Sequence, residues 1–159
     1  MRGETLRIVL ADPNRPSREG LRSQLQHAGF HVDSVASGSD VLLLCRTDPP
    51  DVLIMDLSLR DIDGFELCAR VRRETRDTDT VVIIMTEPTD EMTRTYLGQM
   101  VDFAGGDYFF VRPFDGRLLV HLLDDLGKER GGMGNHVRVA FPTRVVWPTA
   151  RTQRLVPVG

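Results

Sequence analysis

Pro-Asp-Val-Leu-Ile-Met-Asp, residues 50–56, is the stretch whose reading decides the fold. Val52 to Met55 is a short apolar run of strand length, closed by one carboxylate, Asp56. The chain then turns at Asp61-Ile62-Asp63-Gly64. A run that is apolar at every position fits a strand covered on both faces, as in a parallel sheet. In open parallel sheets, ligands bind beyond the carboxyl ends of the strands. A single acid placed there is a candidate nucleophile or metal ligand. It is equally a candidate for capping the loop that follows.

The segments on either side repeat this arrangement. Arg7-Ile8-Val9-Leu10 is a strand-like run ending at Ala11-Asp12, and Pro16 suits the first turn of a helix. Leu21, Leu25 and Ala28 fall on one helical face, and Gly29 supplies a C-terminal cap. A strand is predicted over 31–36. A helix follows over 41–45, capped by Ser39 or Asp40 and stopped by Pro49-Pro50. Phe65, Leu67, Cys68 and Val71 give the next helical face, and Val81 to Thr86 the most strongly β-branched strand. A helix over roughly 91–100, a strand over 106–111, and a last helix capped by Asp115 complete the series. That last helix carries Leu118, Leu119, Leu122, Leu123 and Leu126 on one face. Five strand–helix units predict an α/β, doubly wound, five-stranded parallel sheet in three layers, the flavodoxin-like arrangement.

The 159 residues suffice for one domain with a substantial core. No apolar run approaches the ~20 residues of a membrane span, and the N-terminus does not read as a signal peptide. Cys45 and Cys68 sit in apolar helical contexts, as small buried side chains of a reducing compartment. Together these predict a cytoplasmic protein with no membrane contact. Residues 127–159 sum to +5 and the whole chain to −3, so residues 1–126 carry −8. An acidic body argues against nucleic-acid binding by that body.

Four strand ends bring polar groups to one rim: Asp12, Asp56, Thr86 and, after the fifth strand, Arg112-Pro113-Phe114. A carboxylate nucleophile can accept a phosphoryl group. A divalent ion held by two acids would neutralise the developing charge, and a hydroxyl and a cation would hold the remaining phosphoryl oxygens. Dinucleotide and Walker loops are absent, since Asp12-Pro13-Asn14-Arg15 offers no glycine-rich cradle. The same segment argues against a flavodoxin. Ser58, in place of an acid two residues after Asp56, argues against a phosphatase of the haloacid type. A signalling and interaction protein is the better class than an enzyme.

On these strings the chain resembles the receiver domain of two-component response regulators. The matching segments are 7–12, 50–56, 61–67, 82–86 and 105–114, in family order across about residues 5–126. The resemblance implies that Asp56 takes phosphate from a sensor histidine kinase or phosphotransfer protein. It implies Mg²⁺ held by Asp12, Asp56 and the backbone carbonyl of Ser58. Thr86 matches the switch hydroxyl, and Phe109 the switch aromatic that turns inward with it. Arg112 stands where the family has a lysine, before the proline of a cis bond, Pro113. The fourth helix, fifth strand and fifth helix would form the output face, through which a homodimer could assemble.

Several positions depart from the pattern. Ala11 replaces the first of two adjacent acids, which should weaken Mg²⁺ binding, because hard cations need several oxygen ligands. Arg112 is a planar fork rather than a compact ammonium. Arg60 replaces a proline and could reach Asp56, Glu87 or solvent. Glu87 either obstructs a phosphate or supplies a metal oxygen. The stretch from Thr86 to Arg112 is about four residues longer than the family's usual length, with the excess around 87–103. Two mechanisms follow: slow phosphorylation relayed by Thr86 and Phe109, or a phosphorylation-independent interaction module in which Arg112 or Arg60 pairs with Asp56.

The sequence divides the chain into a receiver at 1–126, a flexible linker at 127–136 and an extended or β-like tail at 137–159. Arg138, Val139, Phe141, Val145 and Val146 loosely resemble the opening of a PilZ barrel, which binds cyclic-di-GMP. A flexible extension, or a strand packed on a neighbour, is the alternative. No helix-turn-helix pattern is visible, so direct DNA binding by this chain is not expected.

Overall fold

The computed structural model describes residues 5–76, 78–87, 105–131, 144–146 and 155–157. Five parallel strands form the expected sheet: β1 (Arg7–Ala11), β2 (His31–Val35), β3 (Val52–Asp56), β4 (Val81–Thr86) and β5 (Tyr108–Val111). They lie in the order β2-β1-β3-β4-β5, the doubly wound order in which the chain reverses direction beside β1 and β3. Four helices are described: α1 (Arg15–His27), α2 (Gly38–Thr47), α3 (Gly64–Glu74) and α4 (Gly116–Gly131). The helix expected over 91–100 lies outside the described residues.

Strand alternation sorts the core into two layers. Val9, Ala11, Leu53, Met55, Val82, Ile84, Phe109 and Val111 face α2 and α3, meeting Val41, Leu42, Cys45, Leu67, Cys68 and Val71. The intervening residues Ile8, Leu10, Val52, Ile54, Ile83, Met85, Tyr108 and Phe110 face the other way, onto Leu25 of α1 and Leu119, Leu122, Leu123 and Leu126 of α4. Both faces are covered, which is why the strands read as continuous apolar runs. The two cysteines are free and buried in the first layer, and burial pushes the Cys45 thiol up to about 11 and the Cys68 thiol to about 12.

The helix ends follow from local hydrogen bonding. Asn14 Oδ1 caps α1 by accepting from Ser17 N at 3.0 Å, with proline in the first turn. The chain leaves α1 through Gly29 at φ 95°, a left-handed conformation that suits glycine. Asp63 caps α3, its Oδ1 accepting from Phe65 N and Glu66 N. Asp115 Oδ1 accepts from Arg117 N at the start of α4.

The start of α2 differs from the expectation. Ser37, not Ser39 or Asp40, is the cap, and the helix begins at Gly38. Asp61, from the loop after β3, supplies the missing acceptors. Its two carboxylate oxygens take Gly38 N at 2.8 Å, Ser39 N at 2.9 Å and Ser39 Oγ at 2.8 Å. These bonds, led by the Gly38 N–H, hold the Asp61 carboxyl at about 2, below its ordinary 3.8. A depressed carboxyl stabilises the fold above the unfolded pKa and loses that contribution as pH falls through the folded value. Asp61→Asn should therefore lag the native protein in stability near neutrality, with the gap closing between about pH 4 and pH 2. Urea unfolding across that range checks it, and a constant gap would rule it out.

The last helix also runs past its expected end. It continues to Gly131, through the first part of the predicted linker. Arg130 anchors it by donating Nη1 to Asp51 Oδ1 at 2.6 Å and Nη2 to the Asp79 carbonyl. Beyond it, β6 (Arg144–Val146) lies parallel to β5, and β7 (Leu155–Pro157) antiparallel to β6. These tail strands extend the five-stranded sheet.

Candidate functional site

The carboxyl ends of β1, β3, β4 and β5 deliver Asp12, Asp56, Thr86 and Arg112 to one rim. Asp12, Asp56 and Thr86 are buried polar residues in a largely apolar sheet. Register explains the meeting of the two acids. β1 and β3 pair through Ala11↔Met55, so the next residue of each strand emerges side by side.

Arg112 connects them. Its backbone N–H donates to the Thr86 carbonyl at 2.8 Å, and its peptide bond to Pro113 is cis. The guanidinium Nη2 lies 2.9 Å from Asp12 Oδ2 and 3.3 Å from Asp56 Oδ2. The side chains of Asp12 and Asp56 are 2% and 10% exposed, and that of Arg112 22%, so the bridge is shielded from bulk water. Its Nε is buried without a partner among the described residues. An unpaired buried donor costs free energy, about 1–3 kcal/mol.

The remaining carboxylate oxygens are also engaged. Asp12 Oδ1 accepts from Asn14 N at 2.8 Å, and Asp12 Oδ2 from Ser17 Oγ at 2.7 Å. Ser17 Oγ in turn accepts from Arg112 Nη1 at 2.8 Å. Asp56 Oδ1 accepts from both Ser58 N and Ser58 Oγ, at 2.8 and 2.6 Å. Thus Ser58 does meet Asp56, but as a double donor from its N–H and hydroxyl.

Arg112, not Arg60, reaches Asp56; Arg60 is exposed. Glu87 is exposed too, and with Ser17, Leu21, Gln24, Arg112, Pro113, Phe114 and Gly116 it lines a cavity of about 440 Å³. Phe109 is wholly buried in the layer facing α2 and α3. Gly106 admits its ring: a Cβ there would lie 2.8 Å from Phe109 Cε2 and 2.6 Å from Ile84 Cδ1. Ser17 was not singled out from the sequence. Its signal was its place in the first turn of α1, one turn beyond Asp12, where a side chain can fold back over the strand end.

A match to the response regulator receiver domain covers residues 8–124. The chain belongs to the response regulator receiver family. Among curated proteins, AfsQ1 of Streptomyces coelicolor, a transcriptional regulatory protein, is 34% identical over 112 residues, covering 70% of this chain and 47% of the relative. CseB of the same organism, also a transcriptional regulatory protein, is 35% identical over 113 residues, covering 71% and 45%. The receiver chain spans about half the length of the curated relatives it matches. Among solved structures, a putative response regulator from Chloroflexus aurantiacus superposes with a TM-score of 0.68 at 26% identity, covering 79% of this chain and 99% of that one. The chemotaxis response regulator CheY4 of Vibrio cholerae gives 0.65 at 24% identity, covering 77% and 98%, and bears on the fold. The protein is a signal-transduction receiver of the two-component type, related to transcriptional regulators.

Receiver domains ordinarily bind Mg²⁺ at their acidic pocket. The residues of this pocket do not fit that ion as they stand. Mg²⁺ demands near-octahedral oxygen ligation. Here Ala11 removes one carboxylate, no cluster of three or more acidic or His/Cys side chains suited to a metal exists among the described residues, and a guanidinium lies between the two acids. Asp12 and Asp56 are together as partners of Arg112, while Ser58 donates to Asp56, and Asn14 and Ser17 donate to Asp12.

Proposed function

We propose that this receiver accepts a phosphoryl group on Asp56 from a histidine kinase or a phosphotransfer protein, and passes the change to a partner through the face built on the fifth strand and the last helix. In the transfer, an Asp56 carboxylate oxygen bonds to phosphorus as the phosphorus–nitrogen bond of the donor phosphohistidine breaks, and the released imidazole takes a proton. The observation that carries this reading is the Asp56 carboxylate itself. Its Oδ1 is fixed by Ser58, which leaves Oδ2 aimed at the Arg112 guanidinium 3.3 Å away.

The added group would bring about −1.5 to −2 charges into a shielded rim. Arg112 and the Thr86 hydroxyl are the groups able to meet it, so Thr86 would be drawn toward the phosphoryl oxygens. Phe109, two residues further back on the neighbouring strand register, would feel that movement through Ile84 and Thr86, which pair with Phe109 and Val111. Association of two copies through this face is the output we favour, and light scattering before and after phosphoryl transfer measures it.

Incubation with acetyl phosphate or phosphoramidate, followed by intact mass, tests the acceptor. The native chain should gain one phosphoryl group, and Asp56→Asn should gain none. An unmodified native mass at saturating donor would leave the protein a phosphorylation-independent interaction module.

A further inference from the structure

We infer that the Arg112 guanidinium, seated by Ser17, is the resident cation of the pocket, so that Asp56 works without a divalent ion. This deepens the phospho-acceptor reading and rests on it. Three observations carry it. First, Arg112 Nη2 sits 2.9 Å from Asp12 and 3.3 Å from Asp56, between the two buried carboxylates of this rim, and no group of three or more metal-ligating side chains exists among the described residues. Second, both oxygens of Asp12 and Oδ1 of Asp56 already accept hydrogen bonds, and Asp56 Oδ2 faces the guanidinium at 3.3 Å, so an incoming ion would have to displace Arg112 from Asp56 Oδ2 or break the Ser17, Asn14 or Ser58 contacts. Third, the side chain at position 11 is the methyl of alanine, wholly buried, so the rim holds two acids against one fixed cation.

Ser17 is the positioning residue. A hydroxyl has one proton to give and lone pairs to receive with. Ser17 Oγ spends its proton on Asp12 Oδ2 and receives Arg112 Nη1, which orients the planar fork so that Nη2 faces both acids. A lysine ammonium, a point charge on a flexible stem, has no such second nitrogen to be held. Mg²⁺ gives up its water reluctantly, and it would meet a fixed positive charge among fewer carboxylates than it needs. The charge balance also works without it. Asp12, Asp56 and Arg112 sum to one negative charge, and the guanidinium remains available to the oxygens of a phosphoryl group on Asp56.

Isothermal calorimetry and thermal unfolding in a MgCl₂ titration of the full chain test the proposal. The native protein should show no saturable Mg²⁺ binding and no Mg²⁺-linked rise in Tm. Arg112→Gln should bind Mg²⁺ at least about tenfold more tightly, because a positive charge has left the acids. Ser17→Ala keeps the guanidinium but unseats it, and should fall between the two; it serves where Arg112→Gln does not fold. Native protein binding Mg²⁺ as tightly as these variants would overturn the proposal. Labelling by phosphoramidate in excess chelator or in MgCl₂ separates the two readings. Equal labelling supports both. Labelling only with Mg²⁺ overturns this inference and leaves Asp56 the acceptor. No labelling in either medium overturns the acceptor reading, and the titration alone then decides which cation occupies the rim.

Discussion

Arg112→Met is expected to lower the unfolding free energy by about 3 kcal/mol, at the lower end of what removing one member of a buried ion pair costs. The substitution keeps most of the apolar stem and deletes the charge. Asp12 and Asp56 are then left side by side, shielded, with only Ser17, Asn14 and Ser58 to compensate them. The lower end applies because Arg112 is 22% exposed, and water can enter where the guanidinium was. Urea denaturation measures it as a fall in midpoint at unchanged slope. Adding Asp56→Asn to Arg112→Met should recover part of the loss, because the repulsion between acids goes with the second charge. A loss under about 1 kcal/mol, typical of exposed pairs, would mean that the bridge is hydrated.

Phe109→Ala should cost about 3–5 kcal/mol, the range for truncating a fully buried aromatic ring. The ring is wholly buried in the apolar layer that includes Val82, Ile84 and Leu67. Gly106→Ala attacks the same packing from the other side. Its Cβ would press on Ile84 Cδ1 and Phe109 Cε2, and overpacking of this kind costs about 1–3 kcal/mol. The two changes should not add. With the ring gone, the new methyl finds room, so the double variant should be more stable than the sum predicts. Additive losses would show that Gly106 matters for its backbone and not for the space it leaves.

Much of this was legible in the sequence, for a physical reason. Strands buried on both faces are apolar at every position, so Val52–Met55 and Val81–Met85 announce themselves, and the acid or hydroxyl that ends each one marks the rim. Cross-loop bonds leave no such trace. Asp61 reaches Gly38 across 23 residues, and Arg112 reaches Asp12 across 100, with no periodicity to signal either. The sequence placed Arg112 at the site and named its pairing with Asp56 as one of two outcomes. The seat that fixes it there, Ser17, reads in sequence as an ordinary first-turn serine. The extra turn of α4 falls in the stretch 127–136 that the sequence reads as a flexible linker, whereas Arg130 holds the helix to Asp51 and Asp79. The tail strands lie in the stretch 137–159 read as extended or β-like, and they add to the existing sheet.

That last feature changes what the sheet shows to other chains. A strand at a sheet margin presents a row of unpaired N–H and C=O groups, on which a foreign strand can assemble. In a five-stranded receiver β5 would be such a margin, a run of tyrosine, two phenylalanines and valine with strong β-propensity. Here β6 takes that row through Tyr108↔Arg144, Phe109↔Val145 and Phe110↔Val146. The margin passes to β7, three residues long and closed by Pro157, which has no N–H to offer. Growth of fibres or swapped dimers by strand addition is thereby limited on this side to the short β7 edge.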